Sequence, residues 1–391
     1  MQMKVLFVGN QGNTGYRFVR WLVEYGVDAT LLLPDNFNHP RSYPEWEDPG
    51  VKGNYSRWIK TFSEKRYPYL LLNRTIKKEA SQCDVVLTTG FYILPVLTLP
   101  KPVIFLPAGS DLTRMPFWSG NPAEALHAYL YRRRIRKVAR ILTDQEDCLW
   151  AARLLGVGNR VYRFPFLTDV RSIEKNIHAE LKKSLEERYK HYDCIFFSPA
   201  RKNMDPERPD YKGPEKLLEA YRRFLDTHPD AHVLMVAGMH GLHADAFKKR
   251  AEEMGLDEKM EYTGHLSLPE LHAWFSLPNL AVFDQFTVNL NALSGIQREA
   301  LAMGRPVVSS TDVHTDAFRQ AYGPDCPLLP AFDTSEIFRA MEHLQGFCSH
   351  PASLSETTAR KWALKYLHYE SRIQELISIL ENTHQQHASR S

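Results

Sequence analysis

The chain has 391 residues, a length that points to two domains rather than one. Its 43% hydrophobic and 12% aromatic content suffices for real cores, and a net charge of +3 is too small to imply wholesale nucleic-acid binding. The five cysteines, Cys83, Cys148, Cys194, Cys326 and Cys348, are odd in number, widely spaced and free of any CxxC pair. That pattern fits reduced thiols in a cytoplasmic protein and offers no metal site.

Met1 leads straight into a strand, Lys4-Val5-Leu6-Phe7-Val8, leaving no room for a secretory leader. A glycine-rich turn follows, Gly9-Asn10-Gln11-Gly12-Asn13-Thr14-Gly15, then a helix with Phe18, Leu22 and Tyr25 on one stripe, then a strand over 28–33. The turn has GxxGxxG spacing rather than the GxGxxG of a dinucleotide site, although Asp35 follows Gly15 by twenty residues. It reads equally as a tight turn for close packing or as a ligand-contacting loop, so a two-domain NAD-dependent enzyme is kept as an alternative. Residues 85–106 are almost uncharged, but Pro95, Pro100, Lys101 and Pro102 interrupt them. A spanning helix needs ~20 unbroken apolar residues, so two buried strands joined by a turn are expected here. Another strand is legible over 140–143. Short apolar strands alternating with helices predict a parallel sheet, with ligands beyond the strands' C-terminal ends, where Gly9 to Gly15 and Gly109-Ser110-Asp111 both fall.

Arg132-Arg133-Arg134-Ile135-Arg136-Lys137 is a dense basic run. On a helix it is either a solvated face or a contact for a phosphorylated acceptor or an anionic membrane surface; the second option would place the protein peripherally at the inner membrane face. Residues 170–192 mix Lys, Arg and Glu without a strong apolar face and read as a connector.

Alternation then resumes. A strand over 195–198 is followed by a long polar loop and a helix opened by Pro214, with Leu217, Tyr221 and Phe224 in register. A strand over 232–237 ends in Gly238, and Glu261-Tyr262 leads into Gly264-His265-Leu266. The stretch 279–310 organises this half: a strand from Leu280 to Phe283, a polar segment, a helix from near Gly295 carrying Glu299, a stop at Gly304, and a new strand at Pro306-Val307-Val308. A helix N-terminus offers unpaired N–H groups and partial positive charge, a ready seat for phosphate.

These motifs, in order Ser198-Pro199-Ala200-Arg201, Tyr211-Lys212-Gly213, Val236-Ala237-Gly238, Gly264-His265-Leu266-Ser267 with Glu270-Leu271, and Glu299-Ala300-Leu301-Ala302-Met303-Gly304-Arg305-Pro306-Val307-Val308, resemble glycosyltransferase family 4. The resemblance covers most of the C-terminal half; the N-terminal half matches more loosely, through its glycine-rich turn, Gly109-Ser110-Asp111, and Phe164-Pro165 with Asp169.

The resemblance implies a GT-B fold, two Rossmann-like α/β domains facing each other across a cleft, with a C-terminal helix crossing back to the first. The expected divisions are 1–170 on the acceptor side, a connector over 171–192, a nucleotide-sugar domain over 193–355, and the returning helix over 356–391. It implies retaining transfer from a nucleoside-diphosphate sugar, with UDP or GDP as nucleotide, to a glycan, lipid-linked or small-molecule acceptor. No cofactor and no metal are expected: the chain has no Asp-x-Asp pair, so cations and helix dipole must hold the leaving diphosphate. By the resemblance, Arg201 and Lys212 occupy the diphosphate positions. Gly238, His265, Leu266, Ser294, Gly295, Ile296 and Glu299 bind the donor. Gly12, Asn13, Gly109 and Ser110 form an acceptor or phosphate loop, and Asp111 and Asn291 join the catalytic set. Asn291 stands where the family has the first of two glutamates eight positions apart, which keeps open a nucleotide- or sugar-binding protein without turnover. Two further departures are the eleven-residue step from Arg201 to Lys212 and Ala108 where many members have His.

Overall fold

The structure, a computed structural model, describes residues 3–35, 42–63, 73–207, 211–287, 291–348 and 357–389. The chain divides into two compact units, Met1–Phe166 with Arg372–Ser391, and Leu167–Ser371.

The first unit carries strands β1 (Lys4–Val8), β2 (Asp28–Pro34), β3 (Ile59–Phe62), β4 (Val85–Thr88), β5 (Val103–Phe105), β6 (Arg140–Thr143) and β7 (Val161–Arg163). They form one parallel sheet in the order β3-β2-β1-β4-β5-β6-β7. The central strands are apolar at nearly every position because helices cover both faces; Leu6, Phe7, Val8, Val86, Leu87 and Ile104 are all inaccessible to solvent. The helix Thr14–Glu24 buries Phe18, Val19, Trp21 and Leu22, whereas Tyr25, expected on the same stripe, lies just past its end and is exposed. Residues 85–106 are indeed two buried strands, but they are joined by more than a turn: a 3-10 turn, Gly90–Tyr92, and a short helix, Ile93–Val96, intervene. The helix Ile373–Ala388 completes this unit, packing Ile373, Leu376 and Leu380 inward beside the helix Thr14–Glu24 and β4. Strands β3 and β7 escape sequence reading because they are short, half polar and at the two edges of the sheet, β3 burying only Ile59 and Phe62.

The second unit carries β8 (Cys194–Ser198), β9 (Val233–Gly238), β10 (Met260–Thr263), β11 (Leu280–Phe283), β12 (Val307–Ser309) and β13 (Leu329–Pro330). This parallel sheet runs β10-β9-β8-β11-β12-β13. Alternate residues of β8 serve opposite faces, as the strand period requires. Phe196 packs edge-on to Phe224 (centroids 5.5 Å apart) on one side, and Phe197 stacks on Trp274 (5.1 Å) on the other. Residues 170–192 are not merely a connector. Val170, Ile173, Leu185 and Tyr189 are buried in this unit's core, and the helix Ala179–Tyr189 lies on it through Leu185 and Tyr189, spaced four apart. With Leu181, which packs against the same core, they make one apolar residue per turn among charges, a stripe too narrow to announce a buried face. The helix Thr358–Tyr366 also belongs here: Trp362 and Ala363 join the same core, and Arg360 Nη1 donates to the Ala302 carbonyl at 2.8 Å. The polypeptide rejoins the first unit at Arg372.

Candidate functional site

In the second sheet the chain runs outward from β8 through β9 to β10, and from β11 through β12 to β13. The order therefore reverses between β8 and β11, and the loops leaving their C-terminal ends must diverge, which opens a crevice suited to a ligand. The loop after β8 carries Arg201, which is exposed. The next residue, Lys202, is buried. Its Nζ donates to the Ser198 carbonyl (2.9 Å) and Oγ (3.0 Å) and lies 5.0 Å from the Phe247 ring. Burial brings its pKa down to about 7. The long polar loop expected after 195–198 is not solvent-exposed just past Arg201: Lys202 and Asn203 are folded under the site, tied by Lys202 N–H to the His240 carbonyl (2.7 Å) and by Asn203 Oδ1 to Leu242 N–H (2.9 Å). Residues 208–210 lie outside the described residues.

Lys212 returns to the crevice and donates from Nζ to Gln285 Oε1 at 2.5 Å. Gln285 itself has φ of 57°, an unusual left-handed conformation for a non-glycine residue. Its carbonyl is held by Ser310 N–H (3.0 Å) and the Ser309 and Ser310 hydroxyls. Behind Lys212, Gly213 has φ of 61°, and a Cβ there would stand 2.3 Å from the Phe286 carbonyl oxygen, so only glycine fits.

The helix Gly295–Ala302 begins where expected, with Ser294 as its N-cap. Ser294 Oγ accepts from Gln297 N–H (3.1 Å) and donates to Asp284 Oδ2 (2.6 Å). Gln297 Nε2 donates to Asp284 Oδ2 (3.1 Å) and Ser309 Oγ (2.8 Å), while its Oε1 accepts from Ser294 N–H and Thr311 Oγ1, both at 3.2 Å. Asp284, Gln297, Ser309 and Thr311 are all buried. This network ties the helix start to the ends of β11 and β12 and leaves Gly295 exposed at the mouth. Part of the preceding loop, 288–290, lies outside the described residues.

Glu299, in the helix's second turn, is only 5% exposed, and its Oε2 lies 3.0 Å from Nε2 of His272, itself 2% exposed, on the helix Leu268–Phe275. Sequence reading missed His272; its signal was a polar residue on the buried face of an otherwise apolar helix, which alone does not say what it meets. Of the other predicted donor residues, Gly238 ends β9 beside Thr263, and His265 is exposed with its ring 4.9 Å from that of His240. Leu266, Ile296 and Asn291 are half-buried, Asn291 three residues before the N-cap.

The remaining predicted residues lie at the C-terminal edge of the first sheet. Gly12 and Asn13 have φ of 58° and 59°, and Gly109 has φ of 110°. Asn10 fixes the first loop: its Nδ2 donates to Asn13 Oδ1 (2.7 Å) and the Ser42 carbonyl (2.8 Å), and its Oδ1 accepts from Tyr16 N–H (2.7 Å). Ser110 is exposed. Asp111 is buried and accepts from Gly90 N–H (3.0 Å) and Ala108 N–H (2.9 Å), joining the loops after β4 and β5. Burial raises its pKa to about 6 despite those donors. The structure thus gathers ten of the predicted residues, Arg201 to Glu299, on the second unit and Gly12, Asn13, Gly109, Ser110 and Asp111 on the first. Among the described residues no group of three or more His, Cys, Asp or Glu could hold a metal ion, and no helix is long and apolar enough to cross a membrane.

Residues 204–345 match the family model described as Glycosyl transferases group 1. No curated protein sequence matches the chain significantly. Among solved structures, the chain is similar to Anabaena Alr3699/HepE in complex with UDP, with 12% identity, TM-score 0.67, and coverage of 97% of this chain and 100% of that one. It is similar to a glycosyltransferase from Rickettsia africae ESF-5 (11%, TM-score 0.65, 98% of each chain). It also resembles UDP-GlcNAc 2-epimerase from Neisseria meningitidis bound to UDP-GlcNAc (13%, TM-score 0.52, 97% and 100%), so the architecture alone does not select a reaction. Together, two parallel-sheet α/β units and these likenesses establish the fold as GT-B, two Rossmann-like domains, with a group 1 glycosyltransferase match inside the second.

Proposed function

We propose that this protein is a glycosyltransferase that moves a sugar from a UDP or GDP donor to an acceptor hydroxyl, with retention of anomeric configuration and without a metal. The observation that carries the reading is the match of residues 204–345 to glycosyl transferases group 1, a segment that holds Lys212, the Ser294 cap and Glu299. The structures of similar fold that contain UDP or UDP-glucose favour UDP.

In this reading the diphosphate sits against the N–H groups at Gly295, between Arg201 and Lys212. As the bond from the anomeric carbon to the diphosphate oxygen breaks, negative charge grows on the leaving group, and two cations with a helix N-terminus stabilise it more in the transition state than in the ground state. Gln285 fixes the Lys212 ammonium in place beforehand, which spares reorganisation during the reaction. Glu299, held by His272, accepts from the ribose hydroxyls, a vicinal pair suited to the two oxygens of a carboxylate. Asn291 bonds a hydroxyl of the donor sugar, Gly238, His265, Leu266 and Ile296 line the nucleotide side, and Gly12, Asn13, Gly109, Ser110 and Asp111 shape the acceptor side.

The test is incubation with a panel of UDP- and GDP-sugars, following nucleotide release and the anomeric configuration of any product. Release accompanied by an axial-to-axial or equatorial-to-equatorial transfer supports the reading. Tight binding with no release from any donor would leave a binding protein, and isomerisation of the intact sugar nucleotide would make it an epimerase.

A further inference from the structure

A hollow of about 370 Å³ opens on the first unit where β6 and β7 begin, at the sheet edge opposite to Gly12, Gly109 and Asp111. Arg136, Lys137, Arg140 and Arg160 line it, with Gln386 and His387 from the helix Ile373–Ala388; among the described residues no Asp or Glu does. The cations come from two separate places in the sequence, 136–140 and 160, and the lining as a whole from three. The basic run noted above divides between two tasks. Arg132 Nη1 donates to the Pro116 carbonyl (2.6 Å) and Arg134 Nη1 to the Leu94 carbonyl (3.3 Å), latching the helix Pro122–Ile135 onto its unit. Arg136 and Lys137, past the helix end and exposed, go to the hollow instead.

Two of the cations are fixed in position. Arg160 Nη1 donates to the carbonyls of Arg136 (2.6 Å) and Val138, and Arg140 Nη2 donates to Gln386 Oε1 (3.0 Å). A guanidinium has five N–H donors, so these bonds orient each group without exhausting it. Helix dipoles do not account for the charge. The helices Pro122–Ile135 and Ile373–Ala388 both end here, and each C-terminus carries roughly half a negative charge, which sums to about one against four full positive side chains. The excess must be met from solution.

We propose that this hollow binds a phosphate-bearing anion, at a site separate from the one read for the nucleotide. Arginine forks match phosphate oxygens two at a time, and the volume admits a phosphorylated sugar or a lipid headgroup. The proposal does not depend on the glycosyltransferase reading.

The test uses the full chain without nucleotide and is repeated on Lys212→Ala, in which a diphosphate seat on the second unit would be weakened and the hollow left intact. One arm measures co-sedimentation with phosphatidylcholine vesicles with and without phosphatidic acid; the other titrates inorganic phosphate and glucose 6-phosphate by calorimetry. Wild type should bind in at least one arm, with affinity falling as salt rises. The triple variant Arg136→Gln/Lys137→Gln/Arg140→Gln should bind at least about tenfold more weakly. Arg160 is left intact because it holds main chain. Lys137→Glu, at an exposed position, should weaken binding in the same direction and guards against misfolding of the triple variant. Binding to phosphatidic acid vesicles alone assigns a lipid headgroup, and binding to the soluble phosphates assigns a soluble ligand. No binding in either arm, or Lys137→Glu and the triple variant binding as wild type does, overturns the proposal.

Discussion

At the C-terminal edge of the second sheet, Asp284, Ser294, Gln297, Ser309 and Thr311 exchange hydrogen bonds beneath the helix Gly295–Ala302, with Lys212 and Gln285 beside them. At the same edge of the first sheet main-chain conformation takes a larger share: Gly9, Gly12, Asn13, Gly90 and Gly109 all take positive φ, and the two side chains that brace the loops, Asn10 and Asp111, bond mostly to backbone groups. A side-chain network whose Asp284, Gln297, Ser309 and Thr311 are buried fixes one geometry and suits a small group that never changes, such as a diphosphate. A loop edge built from glycine conformations presents main-chain donors and acceptors whose spacing follows loop sequence, and it suits a ligand that differs from one protein to the next. The difference predicts that charge removal on the second edge is costly and that side-chain trimming on the first is mild.

The largest expected effect follows from that contrast. Lys212→Ala should lower kcat/KM for sugar transfer by roughly 10- to 10²-fold, the loss of one charge-assisted bond of about 1.5–3 kcal/mol to a growing negative charge. Ser110→Ala, exposed on the first edge, should lower it less than about tenfold. Equal losses in steady-state kinetics would erase the contrast.

Glu299→Ala should raise the dissociation constant for the nucleoside diphosphate at least about tenfold. Because it strands His272 in the core, it should also lower the melting temperature by about a few degrees. Glu299→Gln keeps a partner for His272, so it should recover most of the melting temperature while affinity stays low. A 2′,3′-dideoxy nucleotide should bind wild type and both variants alike; a variant that still favours the ribose form as wild type does would remove Glu299 from the site.

These variants show where sequence reading stopped. The strands at β1, β6 and β11 and the helix near Gly295 were legible because apolar runs and the Gly304 stop agree locally. Lys212-Gly213 read as a motif, and the structure supplies its reason, the approach of Gly213 to Phe286. Pairings between distant segments were not legible: His272 meets Glu299 across two helices, and Lys202 looks like loop charge yet is buried. The charged helix Ala179–Tyr189 holds its place through the narrow stripe Leu181, Leu185 and Tyr189, one apolar residue per turn among charges. Its side pairing of Tyr189 Oη with Glu261 (2.6 Å) is likewise invisible along the chain.

A smaller effect tests the buried carboxylate of the first edge. The pKa of Asp111 is raised from 3.8 to about 6, burial outweighing its N–H donors. The fold therefore favours the neutral acid: this contribution is fully present below about pH 4 and is lost as pH rises through about 6, at most about 3 kcal/mol in all. The melting temperature of wild type relative to Asp111→Asn should fall between those pH values. A relative rise would mean that the Gly90 and Ala108 donors dominate and the carboxylate is stabilised as the anion.

The smallest expected effect is none. If Arg201, Lys212 and the helix N-terminus hold the leaving diphosphate, transfer should continue in excess chelator. Activity abolished by EDTA and restored by Mn²⁺ would move that task to an ion.

The central claim, that the β8–β11 edge seats a nucleoside diphosphate through its charge, is tested most directly by calorimetric titration of wild type and Lys212→Ala with UDP, GDP, uridine and guanosine. One diphosphate should bind wild type at least about 10²-fold more tightly than its own nucleoside, and Lys212→Ala should erase most of that margin while leaving nucleoside binding unchanged. A wild type that binds nucleoside and diphosphate equally well, or a margin untouched by Lys212→Ala, would contradict the account.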